Sequence, residues 1–114
     1  MQVHYLEIVT PDVDATCATY ARLHGVSFSE PDAALGGART APLPGGGLLG
    51  VRAPMQESEE PVVRPYVLVG DIDAAAKAAE EAGGEIAHPP MELPGHGKFA
   101  IYIQGGIHHG LWQV

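Results

Sequence analysis

Two stretches of the chain share one order of apolar and polar positions, and the clearer one covers residues 66–84. It opens with the apolar run Tyr66-Val67-Leu68-Val69, which is typical of a buried strand. Gly70 and Asp71 then form a capped turn, an alanine-rich segment follows, and Gly83-Gly84 ends it. This pattern predicts a strand followed by a short helix over residues 72–82.

The same pattern occurs 59 positions earlier in the chain. Asp12-Val13-Asp14-Ala15 aligns with Asp71-Ile72-Asp73-Ala74, and Gly25 aligns with Gly84. Thr10 and Pro11 are the expected N-cap and first position of a helix over residues 11–24. The repeat predicts that one structural unit occurs twice in the chain. In both copies apolar or small residues recur with the spacing that lines one side of a helix: Val13, Cys17, Tyr20 and His24, then Ile72, Ala76, Ala79 and Gly83.

Period-two alternation and β-prone runs predict the strands. Residues 54–61 are acidic and have no apolar period, so they are interpreted as a solvated linker. Pro89-Pro90 is expected to break a short strand and to begin a loop that continues to residue 97. The predicted order is strand, helix and three strands, occurring twice. The expected strands cover residues 2–9, 37–42, 47–53, 62–69, 85–88, 99–103 and 107–114, with a short or irregular one near 26–28.

Composition limits the classes of function. With 114 residues the chain is expected to be one domain, so the two copies must share a fold. The single Cys17 cannot form an internal disulfide, and no positively charged start precedes an apolar run, so we expect a cytoplasmic protein. The net charge of −8 repels phosphate backbones, which argues against nucleic-acid binding. No apolar run reaches the roughly 18 residues that a membrane span needs, so no membrane partner is expected.

The ending Gly110-Leu111-Trp112-Gln113, which follows the strand Phe99-Ala100-Ile101, and the helix that stops at a glycine resemble the vicinal oxygen chelate superfamily. This is the family of glyoxalase I, bleomycin-resistance proteins and extradiol dioxygenases. The resemblance implies an α+β fold in which two βαβββ modules form an incomplete barrel with the helices outside. The modules are expected near residues 1–58 and 62–114 of a single domain, 1–114. It also implies a ligand cleft on the concave sheet face and a homodimer.

Metal-dependent members of that superfamily take four ligands from the first and last strands of the two modules. Carried over to this chain, the resemblance places those positions at Tyr5, Gly50, Arg64 and Gly110. None is an imidazole, thiolate or carboxylate, and a guanidinium repels a divalent ion. We therefore expect no metal and no other cofactor.

Strand alternation places a set of aromatic and charged residues on the inward face, where Gly50 and Gly110 are expected to leave room for a ligand. Two alternatives stay open for this set. The residues line an open pocket, or Glu7 pairs with Arg52 or Arg64 while Tyr66 and Trp112 fill the barrel as core. The predicted ligand-binding residues are Tyr5, Glu7, Arg52, Arg64, Tyr66, His108 and Trp112.

Three functions remain compatible with the sequence. The first is a metal-independent protein that binds a small aromatic or amphipathic molecule. The second is a metal-dependent lyase, isomerase or dioxygenase with an atypical ligand set of His4, Glu7 and His108, in which a one-residue change of register brings His4 to the ligand position. The third is a structural or regulatory domain with a filled cleft. Glu7 as general base and His108 as general acid are the available catalytic pair, and the sequence leaves open whether any reaction is catalysed.

Overall fold

A computed structural model describes residues 1–114, which fold as an α+β protein with two helices and seven strands. The strands pair in both parallel and antiparallel arrangements. No helix of the chain is both long and apolar enough to cross a membrane. In chain order the elements are β1 (Val3–Val9), α1 (Val13–His24), β2 (Arg39–Pro42), β3 (Leu48–Arg52), β4 (Val62–Leu68), α2 (Ile72–Glu81), β5 (Glu85–Leu93), β6 (Gly97–Gln104) and β7 (Ile107–Gln113).

The chain divides into two compact units. The N-terminal unit consists of Tyr5–Val63, and the C-terminal unit consists of Met1–His4 together with Arg64–Val114. The predicted module boundaries, 1–58 and 62–114, stay a prediction. Each unit contains one helix and its own run of neighbouring strands.

In the N-terminal unit, β3 lies between β1, with which it is parallel, and β2, with which it is antiparallel. Helix α1 covers one face of these strands, where Cys17 packs in a cluster with Ile8, Leu49 and Val51. The helix ends at Gly25, whose φ of 66° is the left-handed conformation that glycine adopts without strain.

Two predictions for this unit need correction. Thr10 does not cap α1 directly: the helix begins at Val13, and the Thr10 hydroxyl accepts a hydrogen bond from the Asp12 amide at 3.1 Å. The short strand expected near residues 26–28 is also absent. Residues 26–28 form no regular element, and a 3₁₀ turn at Ala33–Leu35, capped by the Asp32 side chain, follows them. Between α1 and β2 the backbone bonds to the chain near β2 through the Ser29 amide and the Thr40 carbonyl oxygen at 2.7 Å and at an isolated bridge between Asp32 and Ala38. Pro31, which directly precedes this turn, cannot donate to a strand ladder.

In the C-terminal unit the strands follow the order β4-β7-β6-β5, with β4 and β7 parallel and the other pairs antiparallel. Helix α2 covers one face, where Ile72 packs against Ala100 and Leu111. The predicted cap is confirmed, because the Asp71 carboxylate accepts a hydrogen bond from the Ala74 amide at 3.1 Å. Both helices therefore lie within two residues of the predicted bounds.

The prediction that Pro89-Pro90 ends a strand is wrong. Strand β5 continues from Glu85 to Leu93, with shifts in its pairing to β6 between Ile86 and His88 and between His88 and Met91. It is the last strand in the order of this unit, so its outer edge has no partner strand. Proline lacks an amide hydrogen and is tolerated at such an edge and at bulges.

Candidate functional site

The N-terminal unit contains a buried ion pair between neighbouring strands. Glu7 on β1 lies opposite Gly50 on β3, and Arg52 follows two residues later on the same strand. The Arg52 Nε donates to Glu7 Oε2 at 2.8 Å, and both residues are less than one-tenth exposed. A buried charge needs a partner, and this contact supplies one for the buried guanidinium of Arg52. This geometry agrees with the alternative in which Glu7 pairs with Arg52.

A second carboxylate holds the other side of the Arg52 guanidinium. Its Nη1 donates to Glu59 Oε1 at 2.9 Å and its Nη2 donates to Glu59 Oε2 at 2.7 Å. Nη1 also donates to the carbonyl oxygen of Ala53 at 3.2 Å. The hydrogen bond to Glu59 is the largest cause that raises the pKa of Arg52; burial acts against it, and the hydrogen bond and charge of Glu7 add to it. Arg52 is therefore a permanently charged group between two carboxylates.

The space above Gly50 is filled by Tyr5. A Cβ atom added at Gly50 would overlap the Tyr5 hydroxyl and the ring carbon that carries it. Tyr5 itself is buried. Gly50 therefore accommodates the phenol ring, and the room that the sequence predicted at this position is occupied by the chain's own side chain.

The C-terminal unit contains a cluster of aromatic rings around Trp112. The ring centroid of Tyr66 lies 5.7 Å from that of Trp112 and 6.2 Å from that of Phe99, with near-perpendicular planes in both cases. The imidazole of His4 lies 6.0 Å from Trp112. The Trp112 indole nitrogen donates to the carbonyl oxygen of His96 at 2.9 Å, which satisfies its only polar atom. We call His4, Tyr66, Phe99 and Trp112 the aromatic cluster.

The closing sequence Gly110-Leu111-Trp112-Gln113 explains how β7 builds this cluster. The Tyr66 ring lies over Gly110, where a Cβ would overlap it. Leu111 points to the other face and packs under α2, while Trp112 returns to the cluster. The Gln113 side-chain oxygen accepts a hydrogen bond from the Ile72 amide at 2.8 Å. Alternate residues of one strand thus support the helix and the cluster.

The face of β6 that carries the cluster is only partly covered. Phe99, Ile101 and Ile103 alternate with Ala100 and so point away from α2, and all three are half-buried. The imidazole of His88 lies against Phe99 with ring centroids 4.5 Å apart. The strand face opposite α2 therefore presents half-buried aromatic and aliphatic side chains next to the buried rings of Tyr66 and Trp112.

Most of the predicted site residues are buried. Glu7 and Arg52 contact each other, Tyr66 and Trp112 contact each other, and Arg64 is 8% exposed on β4. His108, by contrast, is exposed near the start of β7. Whether any of these residues binds a ligand stays a prediction.

Two residues of these arrangements were not singled out in the sequence. Glu59 belongs to the acidic run 54–61, which was interpreted as solvated, and nothing in that run distinguishes it from Glu57 or Glu60. Phe99 was assigned to a strand but not to a face. The antiparallel pairing that sets it opposite Trp112 supplies its position.

The positions that the resemblance assigned to metal ligands do not fit a divalent ion. Gly50 and Gly110 have no side chain and lie under tyrosines, and Arg64 carries a positive charge. No group of three or more His, Cys, Asp or Glu residues in the chain is arranged to hold a metal ion. The atypical set of His4, Glu7 and His108 stays a prediction. Metal independence itself stays a prediction, because it concerns the protein in solution.

Comparison with known proteins supports the fold. No protein-family model matches the chain, and no curated protein matches it either. Among solved structures, methylmalonyl-CoA epimerase from Mycobacterium tuberculosis is similar with a TM-score of 0.74 and 16% identity, over 97% of this chain and 86% of that one. A hypothetical protein from Bacillus halodurans C-125 has a TM-score of 0.76 and 12% identity, over 99% and 94%.

A third similar structure is a variant of Streptomyces coelicolor methylmalonyl-CoA epimerase in complex with 2-nitronate-propionyl-CoA. It has a TM-score of 0.72 and 18% identity, and the match covers 99% of this chain and 94% of that one. These likenesses confirm that the chain has the vicinal oxygen chelate, or glyoxalase-like, fold. At such low identity they show the fold alone.

Proposed function

We propose that this chain is a metal-independent small-molecule-binding protein of the glyoxalase and bleomycin-resistance type. A flat, amphipathic ligand binds on the strand face of the C-terminal unit that α2 does not cover. The observation that carries the proposal is the half-buried Phe99 and Ile101, which lie on the same face as the buried Tyr66 and Trp112. Apolar walls with a few polar groups nearby are typical of small-molecule sites.

The chemistry of the face favours a planar ligand with an anionic or carbonyl group. Stacking on an aromatic ring contributes about 0.5–1.5 kcal/mol beyond the burial of area. Phe99 is the ring of the aromatic cluster that combines partial exposure with contact to Tyr66. Arg64, on the same strand as Tyr66 and two residues away, supplies the positive charge that orients a polar group.

A ligand screen tests this proposal. Planar aromatic acids, amphipathic metabolites and acyl-CoA thioesters are added to the protein, and the melting temperature and the emission of Trp112 are followed. A ligand that binds the native state raises the melting temperature by mass action. Phe99→Ala should weaken the binding of any compound found by at least tenfold.

Phe28→Ala is the matched control, because Phe28 is the only other phenylalanine and packs against the apolar cluster of the N-terminal unit. It should lower the melting temperature but leave affinity unchanged. If both variants lose affinity equally, the loss is caused by lower stability of the protein and not by a lost contact with the ligand. If no compound changes the melting temperature or the emission, the aromatic cluster is a filled core and the proposal fails.

The second candidate is a metal-dependent enzyme of the same fold. The enzymatic part of this candidate is favoured by the similarity to methylmalonyl-CoA epimerase, whose structures include complexes with methylmalonyl-CoA and with 2-nitronate-propionyl-CoA. Elemental analysis of protein purified without a His-tag separates the two candidates. Near-stoichiometric zinc, nickel, iron or manganese would overturn metal independence.

A further inference from the structure

Arg52 has the geometry of a carboxylate-binding residue whose site is already filled. Its two terminal nitrogens face the two oxygens of Glu59 at 2.9 and 2.7 Å, the paired arrangement in which a guanidinium recognises a carboxylate. Its Nε is held separately by Glu7. We propose that Arg52 binds the carboxylate of an organic acid, and that Glu59 occupies this site as an internal competitor that the acid displaces.

The two carboxylates around Arg52 are held differently. Glu7 belongs to β1 and is fixed by the parallel pairing with β3. Glu59 belongs to residues 53–61, which form no helix or strand and are largely exposed. Within that segment the Glu59 carboxylate accepts a hydrogen bond from the Met55 amide at 2.8 Å, and the Glu59 amide donates to the carbonyl of Gln56 at 3.1 Å. Glu59 can therefore leave Arg52 by rearrangement of a short surface segment.

The exchange of Glu59 for another carboxylate conserves the interactions of Arg52. An incoming acid remakes the two charge-assisted hydrogen bonds, so the buried guanidinium is never left without a partner on that side. The segment also contains Glu57 and Glu60, whose negative charges act on Glu59 and on an incoming carboxylate alike. The acid must still compete with Glu59, because a carboxylate tethered by the chain acts at an effective concentration in roughly the millimolar range.

Removal of the competitor should therefore expose the site to a simple acid. The probe is sodium benzoate, and the signal is the Arg52 Nε–H resonance in a ¹⁵N–¹H correlation spectrum, assigned by its disappearance in Arg52→Lys. Glu59→Ala should bind benzoate at least tenfold more tightly than the wild type. Glu60→Ala is the matched control, since it removes the same charge from an exposed neighbour and should bind like the wild type.

A second measurement uses the wild-type protein and does not depend on the folding of a variant. High benzoate should speed hydrogen exchange at the Met55 amide, which loses its acceptor when Glu59 leaves, but not at the Leu43 amide, which donates to Gly47 in the β2–β3 turn. The proposal is overturned if benzoate leaves the Met55 exchange rate unchanged, or if the Glu59→Ala and Glu60→Ala variants gain affinity equally. Both readouts lie in the N-terminal unit, so this result is distinct from the screen on Phe99 and Trp112.

Discussion

Substitution of Gly110 by alanine should destabilise the protein more than the same change at Gly50 or Gly70. A Cβ at position 110 would overlap the inner atoms of the Tyr66 ring and lie 2.8 Å from the backbone carbonyl oxygen of Pro65. A ring can turn away, but a carbonyl in a strand cannot. Overpacking of this kind costs about 1–3 kcal/mol, and we expect Gly110→Ala near the upper end.

Gly50→Ala provides a graded comparison. There the atoms in the way are the outer atoms of the Tyr5 side chain, and no backbone atom is among the nearest contacts. The cost should therefore be about 1 kcal/mol. It should be less than additive with Tyr5→Leu, because the second change removes the atoms that clash. Gly70→Ala is the control, since a Cβ there meets nothing within 4 Å.

Urea unfolding, followed by circular dichroism, measures these differences. For a chain of this size 1 kcal/mol corresponds to roughly 4 °C in melting temperature, so thermal scans should rank the variants in the same order. If Gly110→Ala is as stable as Gly70→Ala, Tyr66 does not occupy the space over Gly110. The account of the closing Gly110-Leu111-Trp112-Gln113 sequence would then fail.

Four other outcomes follow from single residues or from the surface. Trp112 is 3% exposed, so its emission should be blue-shifted and resistant to acrylamide in the ligand-free protein; if no candidate ligand alters it, the binding proposal fails. Cys17 is buried, and burial raises the pKa of its thiol. A disulfide reagent should therefore react with it only as fast as the protein opens, and rapid reaction in native buffer would contradict its burial in the core. Gln113→Ala removes the acceptor for the Ile72 amide, so it should lower the free energy of unfolding in urea by about 0.5–2 kcal/mol, as the loss of a helix cap does. No measurable change would show that Gln113 does not cap α2. We propose that the chain forms the homodimer that the resemblance implies, so light scattering at micromolar concentration should give twice the chain mass of 11.9 kDa; the mass of a single chain would refute it.

The two helices could be predicted from local sequence patterns. Both helices were predicted from their periodicity and from glycine at the C-terminal end, and the structure confirms them within two residues, although Thr10 is not the cap of α1. The resemblance that rested on Gly110-Leu111-Trp112-Gln113 is confirmed at the level of the fold. Local patterns succeed here because capping and helical periodicity depend on residues only a few positions apart.

Strand boundaries were less well predicted where pairing decides them. The prolines of β5 favour a break, but that strand lies at an edge and has its hydrogen-bonding partner on one side only. Residues 26–28 looked β-prone, but they pair with no strand, and the chain after them forms the Asp32-capped 3₁₀ turn. In both places the outcome depended on a neighbouring strand or turn that the local sequence does not describe.

By itself the sequence determined which side chains point to the same face, because alternation along a strand fixes that. Only the tertiary structure decided which of them touch. It placed Tyr5 over Gly50 and Tyr66 over Gly110, where the sequence predicted open space. It also selected Glu59 from three glutamates in one acidic run as the second partner of Arg52. The physical reason is that a contact between residues far apart in the chain depends on strand register and side-chain direction, which are set by the packing of the whole unit and leave no mark on the local pattern.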